Sequence, residues 1–295
     1  MKQLLILSGK GGTGKTTVAG ALIKLSQARA YADCDVDAPN LHLSMAQAGN
    51  AERFDYYGMP KAQIDAERCI GCGKCEENCR FDAIVNNDGY AVDPFACEGC
   101  GVCEAICPVN AVSMHPAVAG EQMLYRAAHS VFSTAQLKMG SGTSGKLVTE
   151  VKKRMLASML PETELAIIDG SPGIGCPVIA SLSGVSMVLI VAEPSISGVS
   201  DMERILHTAE IFHTPTCVCV NKADVNYELT KQIERFCEEK RMPFVGTIPY
   251  DPQAVTAINN GKTIVEMDCP SGRAVREIYA ETMRLLQVQT GGIEA

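Results

Sequence analysis

Two copies of one cysteine spacing sit in the middle of this chain. Cys69, Cys72, Cys75 and Cys79 read C-x2-C-x2-C-x3-C, and Cys97, Cys100, Cys103 and Cys107 repeat the pattern 28 residues later, with Pro108 after the last. On either side, apolar strand-like runs alternate with helical segments. Between about Lys61 and Met114 that rhythm breaks into short pieces rich in glycine and cysteine. A repeat of this length inside a different rhythm marks a small duplicated fold inserted into a larger one. The expected domains are therefore a discontinuous outer one over residues 1–60 and 115–295 and an inserted one over 61–114.

The outer segments read as an α/β fold. Leu4–Leu7 predicts a first strand and Lys15–Ser26 a helix, with further strands at Leu165–Ile168, Met187–Ala192, Thr216–Val220 and Phe244–Ile248. Helical patterns cover Asp201–Phe212, Glu228–Lys240 and Arg273–Val288. Such alternation implies a mostly parallel sheet covered by helices on both faces. The loop after the first strand, GKGGTGKTT from Gly9 to Thr17, satisfies G-x4-G-K-[ST] through Gly9, Gly14, Lys15 and Thr16. In that motif glycines such as Gly11, Gly12 and Gly14 let the backbone N–H groups of a loop including Thr13 and Thr17 close on phosphate. The lysine reaches the β and γ oxygens, and the hydroxyl of Thr16 ligates Mg²⁺. Gly140–Gly145 with Lys146 mimics the motif, but Leu147 has no hydroxyl for Mg²⁺. That stretch reads as a linker, with an interface loop and a second nucleotide site as alternatives.

Eight of the 14 cysteines belong to the repeat. Their spacing in a chain whose short apolar N-terminal run is no signal peptide points to metal in a reducing compartment rather than to disulfides. A cytoplasmic location is expected. Thiolate number and softness favour iron–sulfur over calcium or magnesium, and zinc remains the alternative. In two-cluster ferredoxins such a run supplies three ligands to one cluster and its fourth cysteine to the other. That resemblance implies two 4Fe–4S clusters, one on Cys69, Cys72, Cys75 and Cys107, the other on Cys97, Cys100, Cys103 and Cys79. Arg80 stands where the bacterial pattern has the proline matched by Pro108. Gly71, Gly73, Gly99 and Gly101 suit a backbone passing close to a cluster.

A net charge of −8 counts against sequence-independent nucleic-acid binding. Residues 61–114 carry four basic and nine acidic side chains. This acidity either favours a basic partner surface or simply solvates a small domain. No apolar run is long enough to suggest membrane insertion.

KGGTGKTT, with Lys10 ahead of Lys15, resembles the deviant Walker A motif of the MinD, Mrp and nitrogenase iron protein class. The resemblance implies ATP binding and hydrolysis in a dimer, in which Lys10 reaches the partner's nucleotide. The dimer would be a homodimer or a heterodimer with a paralogue. ADCDVDAPNL resembles the first switch of that class and assigns the water-orienting carboxylate to Asp35. Asp33 and Asp37 are alternatively turn formers or loop caps. DGSPGIG from Asp169 resembles the Walker B and second-switch segment, with Asp169 near Mg²⁺ and Gly173 and Gly175 permitting motion. Asn221 of VNKAD matches the residue that reads adenine in this class, whereas N-K-x-D alone would suggest guanine.

Cys176 falls at the offset of a dimer-bridging cluster ligand in the nitrogenase iron protein, whose second such ligand has no clear counterpart here. Cys34, Cys217, Cys219, Cys237 and Cys269 read as buried small hydrophobes. MinD's basic C-terminal membrane helix has no match in residues 273–295. As a whole the chain resembles a MinD-superfamily P-loop ATPase with an inserted ferredoxin domain. The expected activity is an ATP-switched dimer coupling turnover to electron transfer or docking of a redox or client protein. An iron–sulfur assembly or carrier protein and a non-redox positioning switch are the alternatives.

Overall fold

The computed structural model describes residues 1–45 and 49–288. The chain opens with strand β1 (Lys2–Leu7), helix α1 (Lys15–Ser26) and β2 (Ala30–Asp33). It continues through β3 (Glu52–Tyr57), β4 (Lys61–Ile64), α2 (Lys74–Glu77), β5 (Ile84–Asn86), β6 (Tyr90–Val92), α3 (Val102–Ile106) and β7 (Val112–His115). A hairpin of β8 (Val118–Arg126) and β9 (Val131–Leu137) leads into α4 (Ser144–Ser158). Then come β10 (Leu165–Asp169), α5 (Cys176–Leu182), β11 (Met187–Ala192), α6 (Ile196–Ile211), β12 (Thr216–Asn221), α7 (Tyr227–Glu239), β13 (Phe244–Ile248), α8 (Gln253–Asn259) and α9 (Pro270–Val288). These elements divide into two compact units: Met1–Glu52, Met123–Ala135 and the chain from Gly145 on form the first, and Arg53–Gln122 with Gln136–Ser144 the second.

In the first unit the strand order β13-β12-β11-β1-β10-β2-β9 is parallel throughout, with β8 beside β9. The strands are near-continuous apolar runs because both faces are covered. Leu4, Ile6, Ile167, Leu189, Val191, Cys217 and Cys219 share one core with α1 and α9. Their alternates Leu5, Leu7, Ile168, Val188, Ile190, Val218 and Val220 point to the other face and are equally buried. Burying every side chain on both faces is what a period-two strand cannot do in a one-sided sheet.

The expected strands and helices of this unit appear with ends shifted by a few residues, α6 starting earliest, at Ile196. The β8–β9 hairpin and α4 were not expected. Gly120, Glu121 and Gln122 interrupt the apolar alternation of β8, and α4 begins within the glycine-rich stretch. Gly145 and Lys146 thus lie in the first turn of a helix whose Leu147, Val148, Val151 and Met155 face the core. The stretch expected as a linker is loop over residues 140–143 and helix from Ser144, so no phosphate loop forms.

The second unit is built on an internal two-fold repeat. β4 pairs antiparallel with β7, and β5 with β6. The strand before the first cysteine of each copy therefore pairs with the strand after the last cysteine of the other. Asp65 N–H donates to Ala111 O at 2.8 Å, and Asp93 N–H, 28 residues on, donates to Ala83 O at 2.7 Å. β3 is hydrogen-bonded beside β8. Among the described residues no helix is long and apolar enough to cross a membrane. Of the C-terminal stretch compared with MinD's membrane helix, residues 289–295 lie outside the described residues.

Candidate nucleotide site and cysteine centre

The phosphate loop runs from the C-terminal end of β1 into α1, where parallel strands leave a crevice for ligands. Gly14 is left-handed, and a Cβ there would lie 2.2 Å from Asn221 Nδ2. Gly9 has no room either, because its Cβ would fall 2.1 Å from Cβ of Asp201 on α6. A cavity of about 620 Å³ opens over the loop. Lys10, Gly11, Gly12, Thr13, Gly14, Lys15, Thr16 and Thr17 line it from one side, Asp35, Asp37 and Ser171 from another. The hydroxyl of Thr13 is buried there without a hydrogen-bond partner.

Lys15 makes a buried ion pair with Asp169, and Thr16 Oγ1 donates to the other oxygen of that carboxylate at 2.6 Å. Burial works against the charge on Lys15, yet Asp169, Asp33 and Asp35 hold its pKa above the ordinary value. Asp169 is fully buried at the end of β10, beside Asp33 at the end of β2, as the register Asp169↔Asp33 requires. Burial, then the proximity of Asp169, pushes the Asp33 carboxyl up to about 7. Asp33 also caps the first-switch loop, accepting from the N–H groups of Asp35 (3.0 Å), Asn40 (2.9 Å) and Leu41 (3.0 Å). Asp35 is half-buried on the cavity wall, its pKa raised by burial and by Asp169 against the pull of Lys15.

Other expected site residues lie farther out. Lys10, at the edge of the cavity, is held by Glu193 at 2.9 Å. Asn221 donates from Nδ2 to Thr13 O at 2.7 Å and accepts at Oδ1 from Lys222 N–H. Its amide thus braces the loop at the mouth of a second cavity of about 300 Å³, walled by Ile248, Pro249, Ile258, Ile264 and Val275. Asp224, the last residue of N-K-x-D, accepts the Tyr250 N–H at 2.6 Å. Sequence reasoning missed Glu193 and Lys222. The available signal was a charged residue at or just past the C-terminal end of an apolar parallel strand, as Asp169 also is.

In the second unit Cys79 of the first copy lines one small cavity together with Cys97, Cys100 and Cys103 of the second. Cys69 and Cys72 lie close enough to Cys75 to raise its pKa alongside burial, and Cys97 and Cys100 act likewise on Cys103. The fourth cysteines receive backbone donors instead. Ala83 N–H points at Cys79 Sγ at 3.4 Å and Ala111 N–H at Cys107 Sγ at 3.2 Å. At Cys107, burial is outweighed by N–H groups of Val109, Ala111, Val112 and Asn110, which favour the thiolate. Among the described residues no three His, Cys, Asp or Glu side chains converge tightly enough for one metal ion. All 14 cysteines are free; Cys34, Cys217, Cys219, Cys237 and Cys269 are buried, and Cys176 is exposed.

A parallel α/β sheet with a lysine- and threonine-bearing phosphate loop facing a strand-end aspartate defines the P-loop nucleotide-binding class. Within it, residues 4–264 match the CobQ/CobB/MinD/ParA nucleotide binding domain, and the chain belongs to that family; it is a P-loop ATPase of the MinD and ParA type. An uncharacterised protein of Methanocaldococcus jannaschii is 30% identical, over 94% of this chain and 95% of its own. The iron-sulfur cluster carrier protein of Pyrococcus furiosus is 24% identical, over 97% of this chain and 86% of its own. Among solved structures, the septum site-determining protein MinD of Pyrococcus horikoshii, complexed with Mg-ADP, shares the fold with a TM-score of 0.59. It is 17% identical and covers 100% of this chain and 98% of that one.

Proposed function

We propose that this ATPase is an ATP-switched electron-transfer protein, in which MgATP closes a dimer and hydrolysis drives electron transfer or partner docking through two 4Fe–4S clusters. The observation that carries the cluster half is the crossing of the cysteine repeat. Cys79 lines one cavity with Cys97, Cys100 and Cys103, and the strand pairing of the repeat supports an equivalent place for Cys107 beside Cys69, Cys72 and Cys75. The donor set fits a cubane better than a single zinc ion. Two sets of four soft thiolates suit two cubanes, and the backbone N–H groups of Ala83 and Ala111 aimed at Cys79 and Cys107 are the kind of donor that tunes cluster sulfurs. When bound, the clusters supply one-electron transfer. Residues 61–114 would then be an inserted bacterial-type ferredoxin domain, and the whole chain a relative of the nitrogenase iron protein.

In the ATPase half, an arriving phosphate takes over Lys15, which leaves Asp169. Thr16 and Asp169 would hold Mg²⁺, which would supply charge neutralisation at the phosphates. Asp35 orients the attacking water, Asn221 holds the loop beside the base, and Lys10 serves the nucleotide of the opposite protomer. The engagement of Asp224 by Tyr250 supports adenine over guanine, because a guanine reader must offer that carboxylate to the base. The metal-ligand spacing of eight cysteines supports a reducing, cytoplasmic setting.

The test is an anaerobic EPR redox titration with and without MgATP. A nucleotide-dependent midpoint shift is expected, and unchanged signals alongside measurable ATP hydrolysis would sink the coupling. The names of the Pyrococcus relatives favour a second reading, an iron–sulfur carrier. Rapid transfer of clusters to an apo-acceptor would select it, and clusters that survive acceptor challenge would reject it.

A further inference from the structure

The phosphate loop carries a second lysine, Lys10, and the structure gives it a partner within its own protomer. Glu193 follows the last residue of β11, and Ser195 caps α6 by accepting the Gly198 N–H at 3.1 Å. Lys10 Nζ pairs with Glu193 Oε2 at 2.9 Å and donates to Ser195 Oγ at 3.0 Å and Ser197 Oγ at 3.4 Å. The other oxygen, Glu193 Oε1, pairs at 3.0 Å with Lys222, which also donates to Gly12 O at 2.9 Å. One carboxylate thus joins the crest of the phosphate loop to both lysines. Glu193 is 21% exposed and Lys10 35%, so the pair is screened but not dissolved by water.

We propose that Glu193 is a latch and positioning residue: it holds Lys10 inside its own protomer and releases it only to the phosphates of a nucleotide bound by a second copy. The release step rests on the ATP-dimer reading above; the latch does not. A triphosphate with Mg²⁺ offers Lys10 several oxygens bearing concentrated negative charge. Glu193 offers one oxygen, and Lys222 already draws on the charge of that carboxylate. In this way Glu193 raises the threshold for dimer closure without touching nucleotide, and Lys222 remains to keep Gly12 in place after Lys10 departs. The β11–α6 junction is rigid enough for this role. A Cβ on Gly198 would meet the backbone O of Glu193 at 2.3 Å, so the start of α6 is packed directly against the main chain that carries the carboxylate.

Two readouts on the full-length holoprotein test this. In the first, Lys10 is labelled with an amine-acylating reagent without nucleotide and quantified by mass spectrometry against exposed Lys153. Glu193→Gln should raise Lys10 labelling several-fold, and unchanged labelling overturns the latch. In the second, self-association with MgATP is followed by sedimentation together with the protein-concentration dependence of ATP turnover. Glu193→Gln should lower the concentration for half-maximal association about fivefold while leaving the limiting turnover per dimer unchanged. The gain should vanish in the Lys10→Ala/Glu193→Gln double variant, because it acts through Lys10. If Lys222→Gln reproduces the gain, a loosened phosphate loop is responsible and the latch is overturned. If labelling rises but neither protein self-associates, the latch stands and the dimer reading falls.

Discussion

Asp33 is a residue whose chemistry depends on neighbours far away in the chain. Its carboxylate is buried against Asp169, 136 positions on, and both of its oxygens are occupied by backbone donors of the first switch. From the local sequence it reads as a turn former. The capping role is visible in that reading, but the burial is not, because nothing near position 33 reveals that β2 lies beside β10. Asp33→Asn should destabilise the nucleotide-free protein by about 2 kcal/mol, since an amide NH₂ would then face a backbone donor. Urea denaturation measures this, and an unchanged midpoint would remove Asp33 from the support of the switch. Lys15 belongs to the same scale. Lys15→Ala should abolish ATP turnover while iron content stays at the wild-type level, as read by phosphate release and iron assay. Undiminished turnover would refute the site.

Among the elements, α4 and α5 are joined by a group that the nucleotide chemistry does not use. Lys152 on α4 is buried and donates from Nζ to Ser181 O at 2.5 Å and Ser183 O at 2.6 Å, the last carbonyls of the helix that follows the second switch. A cation suits the C-terminal end of a helix, but burial brings the Lys152 amine down to about 8 despite nearby Cys34. Its folded pKa lies below that of the unfolded chain, so the unfolded state binds more protons between about pH 8 and pH 10.5. Stability from this group should therefore rise by roughly 3 kcal/mol across that window and stay flat below it. Lys152→Met should erase the rise in urea denaturation series at stepped pH, and an identical slope in the variant would reject the assignment. α4 was hidden from sequence reading for a related reason. Its apolar stripe of Leu147, Val148, Val151 and Met155 is legible, but it starts inside glycines and serines that resemble a linker.

For the molecule as a whole, the two cysteine copies predict how ligands are shared. If the fourth cysteine of each copy serves the other copy, Cys79→Ser and Cys97→Ser damage the same cluster. Each single variant should lower iron from about eight to about four per chain. The Cys79→Ser/Cys97→Ser double variant should lose no more, whereas Cys69→Ser/Cys97→Ser should lose both clusters. Iron and sulfide assays on anaerobically reconstituted protein decide this. Equal losses in the two double variants would mean that each copy keeps its own four ligands.

Features set by short spacing were legible in the chain itself. The phosphate loop, the fully apolar strands and the 28-residue cysteine repeat each depend on neighbours within a turn or a strand, and each could be tied to a physical cause before any coordinates. Contacts across the sheet were not. Parallel strands bring their C-terminal ends together whatever their separation in sequence, so the partners at that edge follow from strand order alone. Strand order placed Asp33 beside Asp169, set Glu193 between Lys10 and Lys222, and left Asn221 against Thr13. In the second unit, antiparallel pairing of β4 with β7 and of β5 with β6 carried Cys79 to the cysteines of the other copy. The sequence by itself determined which chemical groups were available and in what local geometry. Only the tertiary structure decided which of them meet, because that choice lies in the non-local pairing of strands that are interchangeable in their apolar pattern.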